Sequence, residues 1–370
     1  MKKIFFVLAV LVVASYGTYA YALETSAGSA VVIEAQSGTP VYSKNDTQRR
    51  TVASTTKIMT AICAIEEADL NQKVKIPPEA VGVEGSSIYL RTGEELTLRE
   101  LVYGLMLNSG NDSAVAIAYA VSGSVENFAK LMNTKAKEIG LCNTQFKNPN
   151  GLDEDGHYTT ALDLARITAY GLKNPEFKKI VSTYQTAIPG SEEGQVRYLT
   201  NHNKLLKRYP GCIGVKTGFT KKSGRCLVSA AERNGVTLVA VTLSAPDDWN
   251  DHTKMLDFGF ENVTKRNMVS HGEVLAKVPV EKGSKPYAEI VAENSFDVLG
   301  VKGKKYLAFF QSPENVVAPL KAGEQVGVVE LYMEDKLIGT VPAVVKESVG
   351  EDKTRHFGKS LNLIKERFLR

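Results

Sequence analysis

The chain has 370 residues, of which 43% are apolar and 23% charged, with a formal net charge of +4. These are ordinary values for a globular protein, and the length favours two folded units over one. The charge excess is too weak to argue for nucleic acid, and no basic patch is interleaved with aromatics. Five scattered histidines show no H-E-x-x-H spacing, and four cysteines form no C-x-x-C, so a zinc hydrolase and any resident metal are not expected. Cys63, Cys142, Cys212 and Cys226 read as small buried residues, since a chain of this size needs no disulfide staple.

The first element is "MKKIFFVLAVLVVASYGTYAYA": two lysines, an apolar run from Ile4 to Ala14, and an Ala-x-Ala close. Residues 1–22 therefore read as a secretory signal cleaved after Ala22, which predicts an exported protein. "SAVVIEAQSGTPVYSKN" predicts a hairpin turning at Ser37–Gly38. A helix from Ser54 follows in "VASTTKIMTAICAIEEA", with Ile58, Ile62 and Ile65 on one stripe and small residues around the rest. A helix apolar nearly all round is buried. Yet Lys57 lies in it, the one charge between Arg50 and Glu66. A buried ammonium is costly unless it is paired or has lost its proton.

Helical patterns continue through "LTLRELVYGLML", "DSAVAIAYAV", "VENFAKLMNTKAKEIG" and "TALDLARITAYGL". Strands return in "CIGVKTGF", "GRCLVSAAER" and "VTLVAVTLSA", the last two joined at Asn234–Gly235, a strong hairpin signal. A helix from Trp249 to about Phe260 closes a unit spanning residues 23–262. Strands, then helices, then antiparallel strands predict an α+β fold with a helical insertion. Short Val-rich runs over residues 263–350 predict a small all-β domain. In the tail, residues 351–370, Phe357, Leu361, Ile364 and Phe368 share one helical face and basic residues the other. That composition suits an amphipathic helix on an anionic membrane surface, the alternative being a helix docked on the β domain.

Three short motifs carry the chemistry. Ser54 and Lys57, spaced i, i+3, share a helical face near the helix start, where free N–H groups and the dipole favour negative charge. A neutral lysine amine there can take the serine's proton. Each motif also has a plain structural reading. Ser54 can cap the helix, Asn108–Asp112 can be an interhelical turn, and Lys216 can guard a strand edge. Gly218 would let another backbone approach closely.

In order, however, they read Ser54–Thr55–Thr56–Lys57, Ser109–Gly110–Asn111 and Lys216–Thr217–Gly218. S-x-x-K, S-x-N and K-T-G together mark the penicillin-recognising serine enzymes. With "LMLNSGNDSAVAIA", "FKNPNGLD", "TTALDLA" and "GVKTGFT", the chain resembles the low-molecular-mass penicillin-binding proteins, the serine D-Ala-D-Ala carboxypeptidases of peptidase family S11. The resemblance implies a penicillin-binding/β-lactamase-like domain (an antiparallel sheet flanked by helices), a β-rich C-terminal domain and an amphipathic tail. It implies Ser54 as nucleophile, Lys57 as general base, Ser109 as proton relay and Asn111 as holder of the substrate amide. It implies Lys216 and Thr217 as receivers of the substrate carboxylate, with Gly218 beside them. Phe219 and Ser54 would lend backbone N–H groups to the oxyanion. Some relatives carry histidine where Phe219 stands, a change that a backbone role survives.

The implied substrate is the D-Ala-D-Ala end of a peptidoglycan stem peptide, with β-lactams as covalent inhibitors and no cofactor. The alternatives are a DD-endopeptidase, a β-lactamase, or a wall-binding protein without turnover. Class A β-lactamases carry an E-x-x-x-N loop between S-x-N and K-T-G. Here the pattern occurs only at Glu67–Asn71, outside that order, which predicts slow release of bound penicillin.

Overall fold

A computed structural model describes residues 23–352 and 367–369. The signal segment, residues 1–22, lies outside the described residues.

Five strands build the central sheet: β1 (Ser29–Glu34), β2 (Pro40–Lys44), β3 (Cys212–Thr220), β4 (Gly224–Arg233) and β5 (Val236–Leu243). Their spatial order is β2–β1–β5–β4–β3 and every pairing is antiparallel. β1 and β2 turn around Gly38, and β4 and β5 turn at Asn234–Gly235, both with positive φ as a tight hairpin demands. Alternation along the strands sends side chains to two cores. Val31, Ile33, Val215, Val228 and Val239 enter the larger one, whereas Val32, Leu227, Ala231 and Leu238 enter the other. That is why these strands read as nearly continuous apolar runs.

The helices are α1 (Lys57–Glu67), α2 (Leu98–Leu107), α3 (Asn111–Ser122), α4 (Val125–Glu138), α5 (Ala161–Leu172), α6 (Pro175–Ser182), α7 (Leu205–Arg208) and α8 (Asp248–Asn262). The first six contribute to the larger core and α8 covers the opposite face. Their starts follow from local chemistry. Thr97 and Glu100 form a reciprocal capping box on α2, and Thr160 caps α5 through the Asp163 N–H. One start differs from the sequence reading: α1 begins at Lys57, and Ala53–Thr56 form a tight 3₁₀ turn before it. Ala53 has φ +48°, which bends the chain and presents Ser54 at the turn.

Beyond α8 the chain is all β. The pair Val263–Val269 and Phe296–Val301 adjoins the first unit, Val263 and Val301 packing into the α8-side core. A second sheet then encloses its own core of residues such as Leu275, Val278, Ile290, Tyr306, Leu331 and Val341. Of the expected tail helix, residues 353–366 and 370 lie outside the described residues. Arg367–Leu369 run as a strand on Tyr306–Ala308, so those three residues do not continue a helix. The edge of the Tyr306–Gln311 strand offers backbone groups that pair with them.

The cysteine reading needs one correction. All four are free, with Cys63 and Cys226 buried, but Cys212 is half-buried and Cys142 is exposed. Cys142 sits in the turn after α4, where a small side chain is not drawn into either core. Among the described residues no helix is long and apolar enough to cross a membrane.

Candidate active site

β3 is the edge strand of the sheet, and it runs past the 3₁₀ turn that carries Ser54. A Cβ on Gly218 would lie 3.1 Å from the backbone nitrogens of Ser54 and Thr55 and from the Val52 carbonyl. Glycine permits the close approach expected of the K-T-G motif. Between the two elements opens a cleft of about 380 Å³ lined by Ser54, Ser109, Thr217, Gly218, Phe219 and Arg225, among others.

Under the cleft floor lies the Lys57 amine, which has no solvent exposure. It is 2.9 Å from Ser54 Oγ, 2.6 Å from Asn111 Oδ1 and 2.5 Å from the Asn150 carbonyl oxygen. Burial lowers its pKa well below 10.5, and the nearby Lys216 charge lowers it further, against a smaller opposing pull from Asp112. In its neutral form this amine has two N–H bonds and one lone pair, and both amide oxygens only accept. With the two N–H bonds on those oxygens, the lone pair of the neutral form would face the Ser54 hydroxyl.

The Asn150 carbonyl was not foreseen as a site group. It is delivered by the loop "NPNG", whose turn composition was visible but whose destination was not. The Pro149 carbonyl accepts from Thr60 Oγ1 at 2.6 Å, and Gly151 N–H donates to Asn148 Oδ1 at 2.8 Å. Gly151 has φ +83°, and a Cβ there would stand 1.9 Å from the Ala53 carbonyl oxygen. His157 braces the same loop. Its Nδ1 accepts from the Lys147 N–H, so Nε2 carries the proton and donates to Thr56 Oγ1 at 2.9 Å. Burial lowers its pKa to about 4 and keeps it neutral.

Ser109 and Asn111 flank the break between α2 and α3. Ser109, at φ +62° and 4% exposed, faces the cleft. The Asn111 side chain is turned inward: Oδ1 accepts from Lys57 and Nδ2 donates to the Glu84 carbonyl. In this arrangement it holds the Lys57 amine, and these two bonds use one lone pair of Oδ1 and one N–H of Nδ2. Next to it, the buried Asp112 carboxylate gathers the Ser87 hydroxyl and the N–H groups of Ile88, Leu90 and Ser113. The loop that brings Ser86 to the cleft is thereby fixed.

Lys216 lies beneath the cleft, not on its wall. It is 1% exposed, its ammonium donates to the Thr217 carbonyl at 2.9 Å, and burial lowers its pKa to about 7. Thr217 and Phe219 do line the cleft, Phe219 being 65% exposed. Among the described residues no cluster of three or more His, Cys, Asp or Glu side chains is placed to hold a metal. Glu67 of the stray E-x-x-x-N pairs with Lys135 at 3.2 Å, and neither it nor Asn71 lines the cleft.

A serine hydroxyl 2.9 Å from a buried lysine amine, on an antiparallel sheet with a helical insertion, is the setting of a serine acyl-transfer enzyme of the penicillin-binding class. The comparisons narrow this. Residues 17–247 match the family described as D-alanyl-D-alanine carboxypeptidase, and residues 264–351 match the penicillin-binding protein 5 C-terminal domain. The chain belongs to the D-alanyl-D-alanine carboxypeptidase family, peptidase S11, and its activity is that of a serine-type carboxypeptidase. D-alanyl-D-alanine carboxypeptidase DacF of Bacillus subtilis is 37% identical over 341 residues, covering 88% of this chain and 87% of that protein. DacD of Escherichia coli is 29% identical, over 89% and 88% respectively. The crystal structure of penicillin binding protein 5 from Haemophilus influenzae superposes with a TM-score of 0.68 at 28% identity, covering 89% of this chain and 98% of that one.

Replacing Gly151 with Ala forces a side chain against the Ala53 carbonyl at an unfavourable φ, displacing both the Ser54 turn and the Asn150 carbonyl. A misplacement near 1 Å costs about 100-fold in rate. Covalent labelling by a β-lactam, followed by stopped-flow, should slow by about that factor in Gly151→Ala while the sheet still gives a cooperative melt.

Proposed function

We propose that Ser54 removes the terminal D-alanine of peptidoglycan stem peptides through an acyl-enzyme, with neutral Lys57 as its base. The observation that carries this is the three-way setting of the Lys57 amine, whose neutral form would turn its lone pair on Ser54 Oγ. Lys57 takes the hydroxyl proton as Oγ attacks the carbonyl between the two D-alanines. The backbone N–H groups of Ser54 and Phe219 receive the negative oxygen, a contribution of about 3–4 kcal/mol for one donor of this type. The proton passes by way of Ser109 to the leaving amine, and free D-alanine departs. Water then attacks the ester and regenerates Ser54. Thr217 donates its hydroxyl to the terminal carboxylate, and Asn111 acts by holding Lys57.

Release of one alanine from a stem peptide ending in D-Ala-D-Ala, read by mass, tests the reading, and Ser54→Ala should abolish it. Cleavage of a crosslinked dimer alone would instead favour an endopeptidase. The unprotonated amine is the active form, so kcat/KM should rise with pH through the lowered Lys57 pKa and already be well developed at neutral pH. A rate that keeps climbing only toward pH 10 would contradict a neutral Lys57. Lys57→Ala should lower acylation by about 10²–10⁴-fold, the ordinary worth of a positioned base.

Release of penicillin needs a base for water on the acyl-enzyme. The carboxylate on the cleft wall, Asp248, is bound to Arg225 at 2.9 Å. Benzylpenicillin should therefore give a stoichiometric burst followed by slow turnover, and fast multiple-turnover hydrolysis would overturn this.

For location, the N-terminal segment supports export, and the basic, aromatic tail supports attachment to the outer face of the cytoplasmic membrane, within the cell wall. Deleting residues 351–370 should move the protein to the soluble fraction, and unchanged membrane retention would refute the anchor.

A further inference from the structure

Away from the cleft, a buried ion pair joins the hairpin that precedes β3 to the turn that precedes α2. The hairpin, Gln185–Pro189 with Val196–Thr200, is a two-stranded sheet that pairs with no other strand among the described residues. Such a ribbon is marginal by itself. One of its faces sends Ile188 and Leu199 into the larger core, and Arg197, directly opposite Ile188, belongs to that same face. The other face meets solvent, with Val196 and Tyr198 exposed.

The Arg197 guanidinium meets Glu94, 103 residues earlier, fork to fork: Nη1 donates to Oε1, and Nη2 donates to Oε2 at 2.9 Å. The two side chains are 13% and 5% exposed. Arg197 also donates to the Pro189 carbonyl at 2.9 Å, inside its own hairpin, and to the Tyr89 carbonyl at 3.1 Å. Glu94 Oε2 accepts from the Arg91 N–H as well. A second pair, Arg91 with Glu192 at 2.8 Å, repeats the link with the charges exchanged, but both of its side chains are exposed. The bidentate buried pair is the one with fixed geometry; the exposed pair contributes little.

Neither Glu94 nor Arg197 lines the cleft, yet each lies on a segment that does. From Tyr89 the chain leads back past Ile88 and Ser87, both bound to Asp112, to Ser86 on the cleft wall. From Arg197 it leads to Thr200, whose N–H donates to Asn108 Oδ1. His202 follows, donating its N–H to the Leu107 carbonyl and lining the cleft too. We propose that Arg197 is a positioning residue for substrate binding: its fork on Glu94 clasps the hairpin to the 84–94 segment and fixes the spacing of the walls that carry Ser86 and His202. Removing one partner leaves the other charge buried and unpaired, so the two segments part to let water reach it. Ser54, Lys57 and Asn111 are held by bonds of their own, so the clasp acts on binding and not on the chemical step. The inference rests on the carboxypeptidase reading above and adds a determinant of affinity outside the cleft.

The test measures KM and kcat on the full chain with a stem peptide ending in D-Ala-D-Ala. Arg197→Gln should raise KM about 10-fold and change kcat by less than about 3-fold, the pattern of lost uniform binding. Arg197→Lys, which keeps the charge without the fork, should recover part of that loss. Glu94→Gln should raise KM in the same direction, and it carries the test if Arg197→Gln does not fold. Arg91→Gln, which breaks the exposed pair, should leave both constants within about 2-fold. An unchanged KM in Arg197→Gln and Glu94→Gln, or a loss confined to kcat, would overturn the proposal. Calorimetric affinity of the same peptide for Ser54→Ala, with and without Arg197→Gln, reads the clasp without chemistry. Absence of D-alanine release by the wild type thus refutes the reaction assigned to Ser54 separately from the role of Arg197.

Discussion

The buried amine of Lys57 is the constraint around which the catalytic unit is arranged. Burying the amine charged, beside a second cation, is costly, since the penalty for desolvating an ion is several kcal/mol even after relaxation. Burial therefore favours the neutral form, and the surroundings accept it. Two amide oxygens satisfy its donors, from α3 and from the "NPNG" loop. Lys216 enters from β3 and raises the cost of the charged form. No single element makes the site: α1, α3, β3 and a loop must all arrive together.

Close backbone contact is what lets them arrive. Ala53 and Ser109 both adopt positive φ, which L-residues avoid, and they lie at the Ser54 turn and the α2–α3 break. Such conformations cost about 1–3 kcal/mol each and persist where their neighbours overdetermine them. Gly151 against the Ala53 carbonyl and Gly218 against the Ser54 turn supply that pressure. The Asp112 carboxylate does the same from below, by tying down residues 87–90. Stability from the two packed cores is thereby spent on geometry at the cleft.

What could be read from the sequence follows from how local each feature is. Ser54 and Lys57 are one helical turn apart, so their proximity was visible without a fold. The Asn234–Gly235 turn and the α8 pattern were visible for the same reason. The tight turn before α1 was not, because Ala53 carries no marker of positive φ. The Asn150 carbonyl was hidden more deeply. It is a backbone group 93 residues from Lys57, and its side chain says nothing about where its oxygen points. The pairing of Arg225 with Asp248 depends on strand register and on the start of α8, which composition alone does not determine. The bonds from Asn111 to Lys57 and to the Glu84 carbonyl were equally hidden, because they depend on where the α2–α3 break meets two other segments.

The two lysines of the site are coupled through burial. The partner that depresses Lys57 must itself be buried to act through a low dielectric. Burial in turn lowers the Lys216 pKa to about 7 and keeps its amine off the cleft wall. An exposed cation on that wall is Arg225, whose guanidinium keeps its charge. Asp248 limits the arginine's motion, since the carboxylate sits at the start of α8 and takes one of the guanidinium nitrogens. The same carboxylate is then unavailable as a base for water. The slow release expected for a bound penicillin would thus have a structural cause in the occupation of Asp248 by Arg225.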